Sequence, residues 1–364
     1  MKRVVCFHLF NDYSGSPKVL KMVLNGLLDR RVKVDLVTSR GGVLDELVGN
    51  PDLQFHTYRY VFSKNSLVTM MRYMLVQVYT FLLAFRYLPC RNCVFYINTL
   101  LPVGPALAGW LMGKKVVYHY HENAFAKGRF YKILAWVMQR VANQIICVSA
   151  YQASFLKRKR GVTVVPNAVP SDFVEKLHPD AAAAFERKTV LMLSSLKEYK
   201  GTREFIELAE RLPQYKFVLV INDTQENIDR YLKNTLPPQS LNNLTIYPRQ
   251  ERVSPFYNES SIALNLTDPR KAIETFGLTA LEAMSAGLPV IVPTVGGIAE
   301  LVEDSVNGYK IDVRDLDVIA DRINSMLGDK PSYLRLSASA LAVSRRYDVG
   351  NMIDSIGQIM AVDL

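Results

Sequence analysis

Two glutamates frame a short glycine-containing stretch late in the chain. Glu274 comes just before Phe276-Gly277, and Glu282 follows eight positions after Glu274. A carboxylate accepts hydrogen bonds from paired hydroxyl groups, such as those of a ribose, and the N-terminal N–H groups of a helix attract phosphates. A helix that begins after Gly277 would leave Glu274 ahead of its N-terminus and carry Glu282 inside it. The spacing alone is equally typical of a surface helix with capping glutamates.

A pair of histidines alternates in the stretch VVYHYHEN. His119 and His121 are two positions apart, so that in a β-strand their side chains point to the same face. A histidine near a strand end can hydrogen-bond a ligand or move a proton, and a histidine is also common as a satisfied structural residue. The pairing and the Glu-Asn that follows favour a functional role for His121.

The elements that must position these residues follow a clear alternation. Short apolar runs rich in β-branched residues alternate with longer helical patterns, which predicts two doubly wound parallel sheets connected near 166–184. Ligands of such sheets bind beyond the C-terminal ends of the strands, and a cleft between two such domains is the expected active site. The predicted strands are Val4–Leu9, Val32–Thr38, Gln54–Tyr58, Val94–Asn98, Lys115–Tyr120, Ile145–Ser149 and Val162–Val165, then Thr189–Ser194, Phe217–Asn222, Leu244–Tyr247, Ile262–Leu266 and Pro289–Val292. The predicted helices are Lys18–Asp29, Val103–Met112 and Phe130–Ala142, then Thr202–Arg211, Glu226–Lys233, Leu278–Ala286, Ile298–Val302 and Leu316–Leu327.

Length, composition and charge agree with two packed domains of different polarity. The chain has 364 residues, of which 49% are hydrophobic and 21% charged, and its net charge is +10. Residues 1–170 contain 23 Lys and Arg against 7 Asp and Glu, whereas the remainder contains 21 against 27. The first half is therefore predicted to meet an anionic partner, which could be nucleic acid, an anionic membrane surface or an acidic acceptor.

Cysteine usage and the N-terminal stretch indicate a reducing compartment. Cys90 and Cys93 form a single C-x-x-C with no second pair at zinc-site spacing, so two reduced thiols are the expected state. The apolar run in MKRVVCFHLF is too short for a signal peptide. These features predict a cytoplasmic protein.

One apolar stretch and one basic cluster in the first half bear on the partner. The stretch Leu67–Leu88 nearly reaches the length that spans a bilayer, but Arg72 and Arg86 argue for an amphipathic or groove-lining helix instead. A buried domain helix is an equally open interpretation. Together with Lys157–Arg160, the stretch suggests peripheral docking on the anionic inner face of a membrane.

Several of these features occur together in one known family. The second half carries Glu274-Thr-Phe-Gly-Leu-Thr-Ala-Leu-Glu282, an E-x7-E signature with characteristic residues downstream. On these residues the chain resembles the retaining glycosyltransferases of family 4. Further features that fit the family are Ala286-Gly-Leu-Pro-Val, Gly296-Gly297, the Ser-Gly loop after the first strand, His121-Glu122-Asn123, Ser149, Pro166-Asn167, Lys200-Gly201 and Asn307-Gly308.

The resemblance implies a fold and a reaction. The fold would be GT-B, an α/β class with two Rossmann-like doubly wound domains that face each other across a deep cleft. The acceptor domain would comprise 1–168, joined by a C-terminal helix at about 346–364, and the donor domain would comprise 169–345. The reaction would move a sugar from a UDP- or GDP-linked sugar to a lipid-linked, cell-envelope or polysaccharide acceptor. It would need no metal, no cofactor besides this co-substrate, and no nucleic-acid partner.

The resemblance also assigns roles to individual residues. Glu274 would contact the donor sugar, Glu282 the ribose, and Lys200 the diphosphate, whose negative charge grows as the nucleotide leaves. His121 would lie near the donor sugar, so that His121, Glu274 and Lys200 form the predicted catalytic set. The other predicted donor-binding residues are Gly15, Ser16, Ser195, Arg249, Gln250, Phe276, Gly277, Leu278 and Thr279.

The chain departs from the family pattern at one position. Ser195 stands where the family has an arginine that grips the diphosphate, and a hydroxyl brings no charge. Lys197, Arg249 or Arg252 is predicted to compensate. Two other functions remain open, namely an epimerase or hydrolase with the GT-B fold and a non-enzymatic binder of anionic polymers. The first would turn over donor without an acceptor, and the second would bind RNA in a salt-sensitive manner.

Overall fold

The chain folds into two compact units, each with its own parallel sheet. The computed structural model describes residues 3–125, 128–235 and 241–361, with 234 and 235 described in backbone only. Unit 1 comprises Met1–Asn167 and Val349–Leu364, and unit 2 comprises Ala168–Asp348. The sequence analysis placed these boundaries after 168 and after 345. Of the helix expected at about 346–364, the last three residues lie outside the described part of the chain.

Unit 1 is built on a seven-stranded parallel sheet of order β3-β2-β1-β4-β5-β6-β7. The elements in chain order are β1 (Arg3–Phe7), α1 (Gly15–Asp29), β2 (Lys33–Ser39), β3 (Leu53–Tyr58), α2 (Ser66–Ala84), β4 (Cys93–Asn98), α3 (Val103–Leu111), β5 (Lys115–Tyr120), α4 (Arg129–Val141), β6 (Gln144–Cys147), α5 (Ala150–Ser154) and β7 (Val162–Val164).

The central strands of unit 1 are buried on both faces. β1 and β4 read as almost continuous apolar runs, RVVCF and CVFYIN, which is the pattern of inner strands in a parallel sheet covered by helices. The core that packs against them includes Phe7, Phe95 and Tyr118, all at most 1% exposed. This rigid sheet holds the residues that follow β1, β4 and β5 at its C-terminal edge.

Unit 2 is built on a six-stranded parallel sheet of order β10-β9-β8-β11-β12-β13. Its elements are α6 (Ser171–Val174), α7 (Ala181–Arg187), β8 (Thr189–Ser194), α8 (Thr202–Arg211), β9 (Lys216–Ile221), α9 (Gln225–Thr235), β10 (Leu244–Tyr247), α10 (Ser254–Asn258), β11 (Ile262–Leu264), α11 (Leu278–Ser285), β12 (Val290–Val292), β13 (Gly308–Lys310), α12 (Leu316–Gly328) and α13 (Lys330–Ser344). The sequence analysis had predicted no element at α6, α7, α10, β13 or α13, and its helix at Ile298–Val302 is a 3-10 helix at Gly297–Leu301.

The last helix of the chain returns to unit 1. α14 (Val349–Met360) packs on α1, where Gly26 leaves room for Ile353. A Cβ on Gly26 would lie 2.1 Å from the Cδ1 of Ile353, so only glycine permits this approach. Arg30 of α1 also pairs with Asp354 of α14. Residues more than 300 positions apart thus share one core.

Each sheet has a point where the strand order reverses. The reversal falls between β1 and β4 in unit 1 and between β8 and β11 in unit 2. Connections on the two sides of such a point leave in opposite directions, which opens a crevice at the C-terminal ends of the two strands. The segments that follow these four strands are therefore the expected ligand-binding segments.

Candidate functional site

Lys200 and Glu274 meet at the reversal point of unit 2. Lys200 ends a 3-10 helix, Glu198–Lys200, that follows β8, and Glu274 lies in the segment after β11. The Lys200 ammonium donates a hydrogen bond to Glu274 Oε1, and the Thr267 hydroxyl donates to the same oxygen at 3.1 Å. Both charged side chains are only about a quarter exposed, at 26% and 21%. Lys200, which is predicted to bind the diphosphate, and Glu274, which is predicted to bind the sugar, thus form an ion pair.

The environment of Glu274 keeps its carboxyl group ionised. Burial by itself raises the pKa of Glu274, but the charge of Lys200 and hydrogen bonds from Lys200, Thr267 and Asn265 outweigh it. The net pKa lies below the ordinary value, so that Glu274 is a carboxylate at neutral pH. A carboxylate in this position can accept hydrogen bonds from sugar hydroxyls.

Two glycines with positive φ hold this ion pair in place. Gly201 has a φ of 73°, and a Cβ there would lie 2.4 Å from the Leu266 carbonyl oxygen. Gly296 has a φ of 118°, and a Cβ there would lie 2.6 Å from the Glu274 carbonyl oxygen. The N–H of Gly297 donates to that same carbonyl at 2.8 Å. One N–H of the Gly296-Gly297 turn therefore positions Glu274.

A neighbouring asparagine stabilises the turn. Asn307 is fully buried, its Oδ1 accepts from the Glu303 N–H at 2.8 Å, and its Nδ2 donates to the Leu301 carbonyl at 2.8 Å. These bonds close the end of the 3-10 helix that begins at Gly297. The Asn307-Gly308 feature of the sequence therefore has a structural role here.

Glu282 lies within α11 and has a tyrosine partner. The hydroxyl of Tyr257, which is 1% exposed, donates to Glu282 Oε2 at 2.6 Å. Burial, followed by the charge of Glu282, raises the pKa of Tyr257 well above its ordinary value, so that this hydroxyl keeps its proton. Sequence reasoning missed Tyr257, which precedes Glu282 by 25 residues and belongs to no recognised motif.

The start of α11 is shaped by the predicted Phe276-Gly277-Leu278-Thr279 segment. Gly277 is the residue before the helix, with a φ of 98°, and a Cβ there would lie 2.4 Å from the Cγ1 of Ile298. Phe276 is 4% exposed and packs on Tyr347 with 5.8 Å between ring centroids. The Phe276 side chain is thus a core anchor, and only its backbone is placed to meet a ligand.

The residues predicted near the nucleotide are held by local bonds. Arg249 Nε donates to Asn222 Oδ1 at 2.8 Å, and the Gln250 side-chain amide donates to the Pro248 carbonyl at 3.0 Å. Lys197 lies 5.9 Å from the centre of the Tyr199 ring. Ser195 is half-buried directly after β8. Of the four cations considered around the diphosphate, Lys200 is the one in contact with Glu274.

In unit 1 the first residues of α1 follow the reversal point. Gly15 and Ser16 form the start of this 15-residue helix, and the hydroxyl of the preceding Ser14 donates to Asp12 Oδ1 at 2.5 Å instead of capping the helix. Gly15 is exposed. The first N–H groups of a long helix carry partial positive charge, which suits the predicted phosphate contact.

His121 ends a polar cluster at the C-terminal edge of the same sheet. Its Nε2 lies 3.0 Å from Asn98 Oδ1, and its ring packs on His119 with 4.1 Å between ring centroids. The two histidines share one face, as the alternation predicted. His119 is fully buried beside Tyr96, at 2.6 Å from the tyrosine hydroxyl. Burial lowers the pKa of His119 to about 3 and, with the nearby histidines, lowers that of His121 well below its ordinary value.

The loop after His121 is fixed by a glutamine. Gln152 Nε2 donates to the Glu122 carbonyl at 2.9 Å, and its Oε1 accepts from the Val148 N–H at 2.9 Å. The Ser149 hydroxyl oxygen accepts from the Gln152 N–H at 3.1 Å and caps α5.

The next residue beyond β4, Thr99, has a φ of 72°, which is unusual for a β-branched residue and typical of functional sites.

Helix α2 presents a broad apolar surface. Ser66–Tyr87 is, within the described residues, the one helical stretch long and apolar enough to cross a membrane by length and composition, and 28% of its most apolar window is buried. The interpretation as a buried helix is therefore wrong for most of its side chains. The exposed apolar residues of α2 and of the turn that follows it are Leu67, Met70, Met71, Met74, Leu75, Val78, Tyr79, Leu82, Phe85 and Leu88.

The basic cluster at Lys157–Arg160 is partly structural. The Arg158 guanidinium donates to the carbonyls of Gln139, Ala142 and Asn143 at 2.6 to 3.2 Å, which caps the C-terminal end of α4. Lys159 reaches two carbonyls of α5 at 3.4 Å. Two of the four basic side chains, Arg158 and Lys159, thus bind carbonyl groups at helix ends.

The C-x-x-C thiols are free and show no sign of a metal site. Cys93 is buried, and its Sγ donates a hydrogen bond to the Cys90 carbonyl at 3.2 Å. Burial is the main cause that raises the pKa of the Cys93 thiol to about 12. No group of three or more His, Cys, Asp or Glu in 3–125, 128–235 and 241–361 is arranged to hold a metal ion.

Comparison with known proteins identifies the family. The model described as Glycosyltransferase Family 4 matches residues 13–173, and the model described as Glycosyl transferases group 1 matches residues 173–342. Together the two models cover residues 13–342, which include most of both units. The chain belongs to glycosyltransferase family 4.

Relatives of this family 4 member align mainly over short stretches. A D-inositol 3-phosphate glycosyltransferase of Corynebacterium aurimucosum is 28% identical over 183 residues, which are 44% of this chain and 39% of that protein. A sucrose synthase of Acidithiobacillus caldus is 46% identical over 79 residues, which are 20% of this chain and 10% of that protein. The chain thus spans well under half the length of these relatives.

Solved structures agree with the fold over the whole chain. HepE of Anabaena in complex with UDP-glucose has a TM-score of 0.78 at 17% identity, covering 99% of this chain and 100% of HepE. The fold of this family 4 member is GT-B, with two Rossmann-like parallel-sheet domains, as the sequence predicted.

The structure brings the predicted site residues together in two groups. In unit 2, Lys200 contacts Glu274, while Glu282 and the Phe276–Thr279 segment share the start of α11. In unit 1, His121 belongs to the cluster with Asn98. Their roles in this family 4 member stay predictions. Sequence reasoning missed Asn98 and Tyr257, and for Asn98 the available signal was a polar residue at the end of a fully apolar strand.

Proposed function

We propose that this protein transfers a sugar from a nucleotide-diphosphate sugar to a hydroxyl acceptor, with retention of configuration and without a metal ion. The observation that carries the proposal is the Lys200–Glu274 ion pair at the reversal point of unit 2. A diphosphate binds to a cationic side chain, and the hydroxyls of a sugar donate hydrogen bonds to a carboxylate. This pair supplies both groups at one place. The UDP and UDP-glucose seen with HepE support a donor of this class.

The chemistry asked of each residue is limited. The bond between the anomeric carbon and the β-phosphate oxygen breaks, and its electron pair stays on the nucleotide diphosphate. Lys200 stabilises that negative charge, which is the electrostatic form of catalysis. Glu274 orients the sugar through its hydroxyls, and Glu282, held by Tyr257, binds the ribose diol. The acceptor hydroxyl forms the new bond at the anomeric carbon, and its proton passes to the departing diphosphate oxygen.

A binding screen tests the donor site first. Thermal unfolding and calorimetry are measured with UDP, GDP, ADP and their common sugars, for the wild type and for Glu282→Ala. We expect one nucleotide series to raise the melting temperature, since a ligand that binds only the folded state stabilises it, and we expect Glu282→Ala to lose the response. Glu226→Ala, an exposed residue of α9, is the matched control and should keep it.

A turnover assay tests the reaction with the donor found. Transfer should proceed in the presence of EDTA, and NMR of the product should show the anomeric configuration of the donor. Release of free sugar at the same rate with and without acceptor would support a hydrolase instead. A donor screen in which no nucleotide binds would overturn the proposal.

We also propose that unit 1 docks on an anionic membrane surface and takes a lipid-linked or cell-envelope glycan acceptor, with the protein on the cytoplasmic face. Support comes from the exposed apolar residues of α2, since contiguous exposed apolar surface of this kind marks an interaction site. Glu122 is the one acidic residue of the sequence between 53 and 171, a region with 15 Lys and Arg. Such a surface is attracted to anionic lipid.

The packing of α2 favours docking over spanning. The Gln77 Oε1 accepts from the Gly104 N–H at 2.9 Å, and the Tyr73 hydroxyl donates to the Leu101 carbonyl at 2.8 Å. A Cβ on Gly104 would lie 2.2 Å from the Gln77 carbonyl oxygen, so α2 and α3 are in close contact. One face of α2 thus belongs to the core of unit 1, and the other is available to a partner.

Co-sedimentation with vesicles tests the docking. The wild type should bind phosphatidylglycerol-containing vesicles, bind less with added salt, and bind pure phosphatidylcholine weakly. The double variant Leu75→Glu/Leu82→Glu should lose at least about tenfold in binding, while Val318→Glu, an exposed change in α12, should not. A dimer that the double variant dissociates, without vesicle binding by the wild type, would overturn this proposal.

A further inference from the structure

A continuous chain of hydrogen bonds runs beneath His121. The His8 Nε2 lies 2.8 Å from the Phe10 carbonyl oxygen, the His8 Nδ1 lies 3.0 Å from Asn98 Nδ2, and Asn98 Oδ1 lies 3.0 Å from His121 Nε2. His8 is 4% exposed and Asn98 is fully buried. The residues come from the ends of β1, β4 and β5, which neighbour one another in the sheet.

The Phe10 carbonyl fixes the direction of every bond in this chain. A carbonyl only accepts, so the N–H of His8 must be on Nε2. Burial lowers the pKa of His8 to about 4, so that at neutral pH its Nδ1 carries a lone pair. That lone pair requires the amide nitrogen of Asn98, which turns Asn98 Oδ1 toward His121. An amide oxygen also only accepts, and the N–H of His121 must therefore be on Nε2.

We infer that Asn98 and His8 are positioning residues that hold His121 in the tautomer with its proton on Nε2 and its lone pair on Nδ1. Any group that meets Nδ1 must then be a hydrogen-bond donor, as a sugar or acceptor hydroxyl is. The inference extends the proposed function, because it takes His121 to serve the transfer site. A tautomer held by the wrong partner would present an N–H where the reaction needs an acceptor.

The groups around His121 support the same state. The His119 ring packs against it at 4.1 Å, and the Tyr96 hydroxyl lies 2.6 Å from His119 Nδ1. Burial lowers the pKa of His119 to about 3, so that this ring is neutral at neutral pH whichever partner donates in its hydrogen bond with Tyr96. The neutral His119 ring packs against the His121 ring and holds its orientation. It does not compete with His121 for the Asn98 oxygen.

Nitrogen-15 NMR of histidine-labelled protein tests the tautomer directly and needs no substrate. The long-range proton–nitrogen pattern of His121, assigned by its loss in His121→Gln, should show the Nε2–H tautomer in the wild type. Asn98→Leu should convert this signal to a mixture of tautomers. The matched control is Asn143→Leu, which removes another structural asparagine of unit 1, bonded to the Val116 N–H at 2.7 Å. It should leave the His121 pattern unchanged.

Kinetics supply the second readout. With the donor identified as above, Asn98→Leu should lower kcat about tenfold or more at an almost unchanged KM for donor. Asn98→Asp keeps an acceptor toward His121 but offers no N–H to the His8 lone pair, so it should retain the Nε2–H tautomer of His121 and recover only part of kcat. An Nδ1–H tautomer in the wild type, or an Asn98→Leu spectrum equal to that of the wild type, would overturn the inference. If the protein transfers no sugar, the proposed function fails while the NMR result still decides the tautomer.

Discussion

At the residue scale, the main feature is that the two charged side chains proposed to bind the donor form an ion pair with each other. Lys200 and Glu274 are about three-quarters buried and paired, and Thr267 adds a hydrogen bond to the same carboxylate oxygen. A diphosphate that binds Lys200 must compete with this carboxylate. The pair therefore pre-positions both groups and also weakens nucleotide binding relative to an unpaired lysine.

A charge-neutral substitution of Glu274 separates these two effects. Glu274→Gln should bind the nucleotide diphosphate as tightly as the wild type or about tenfold tighter, because Lys200 loses its competing anion, while kcat for transfer should fall by about a hundredfold or more. Calorimetric Kd and steady-state kcat are the measurements. Glu259→Gln, an exposed partner of Arg187 in the same unit, is the control and should change neither. A large loss of nucleotide affinity in Glu274→Gln would contradict this account.

The buried histidines predict how stability depends on pH. His8 and His119 have folded-state pKa values lowered to about 4 and about 3 by burial, against about 6.5 in the unfolded chain. The unfolded chain therefore takes up protons that the folded protein refuses, and stability is lost as pH falls from about 6.5 toward 4. By linkage, each histidine accounts for about 3 kcal/mol of this loss at pH 4.

Melting curves at several pH values check the sign and the source. The melting temperature of the wild type should fall steadily between pH 6.5 and 4. His119→Gln, whose side-chain amide can still form a hydrogen bond with the Tyr96 hydroxyl, should give a shallower fall, whereas the exposed His178→Asn should follow the wild type. Equal slopes for His119→Gln and the wild type would show that His119 is not held neutral.

At the element scale, the site depends on how helices and turns begin and end. α11 starts from Gly277 in a left-handed conformation that brings the backbone against Ile298, and the Gly296-Gly297 turn grips the Glu274 carbonyl. The sequence motif is therefore largely a set of backbone requirements. Within it, Gly277 and Gly296 are required by close contacts inside unit 2.

Substitution of Gly277 by alanine tests this requirement. A Cβ would lie 2.4 Å from Ile298 at a φ of 98°, so Gly277→Ala should destabilise the protein by about 1 to 3 kcal/mol and should weaken nucleotide binding as α11 shifts. Denaturant unfolding and calorimetry give the two values. Gly328→Ala in α12, where a Cβ meets nothing within 4 Å, is the matched control and should be neutral or slightly stabilising. Normal binding by Gly277→Ala would show that the start of α11 tolerates a side chain.

At the scale of the whole molecule, unit 1 is built from two separate segments of the chain, whereas unit 2 is built from one. Unit 1 takes back the last helix, and Met352, Ile353, Ile356 and Met360 of α14 are buried in it. Unit 2 is continuous in sequence. The stability of unit 1, and with it the His121 cluster, therefore depends on residues from the opposite end of the chain.

Truncation of one buried side chain in α14 measures that dependence. Ile353→Ala should cost about 2 to 5 kcal/mol, since it empties the space above Gly26, and the loss should appear in unit 1. Hydrogen exchange of peptides from β1 and α1, compared with peptides from β8 and α8, is the measurement. Gln358→Ala, on the exposed side of α14, should leave both sets unchanged. Faster exchange in β8 and α8 alone would contradict the assignment of α14 to unit 1.

The sequence by itself determined the local periods and the segments that carry chemistry. The alternation of apolar strands and amphipathic helices, and the E-x7-E signature, depend on neighbours within a few residues, so they can be read directly. The GT-B fold was predicted on this basis and is confirmed, and the Leu67–Leu88 stretch was recognised as helical. β13 was missed because it has only three residues, and α13 was missed because it is weakly amphipathic, so that each gives too little periodic signal.

Only the tertiary structure decided which polar groups become partners. Lys200 and Glu274 are 74 positions apart, and His8 and Asn98 are 90 apart. No periodicity connects such residues, because their proximity results from the order of parallel strands in each sheet and from where that order reverses. The same holds for α2, whose composition suits a core, a membrane or a partner equally. Its packing on α3 selects which face is buried, and this leaves its other apolar side chains exposed.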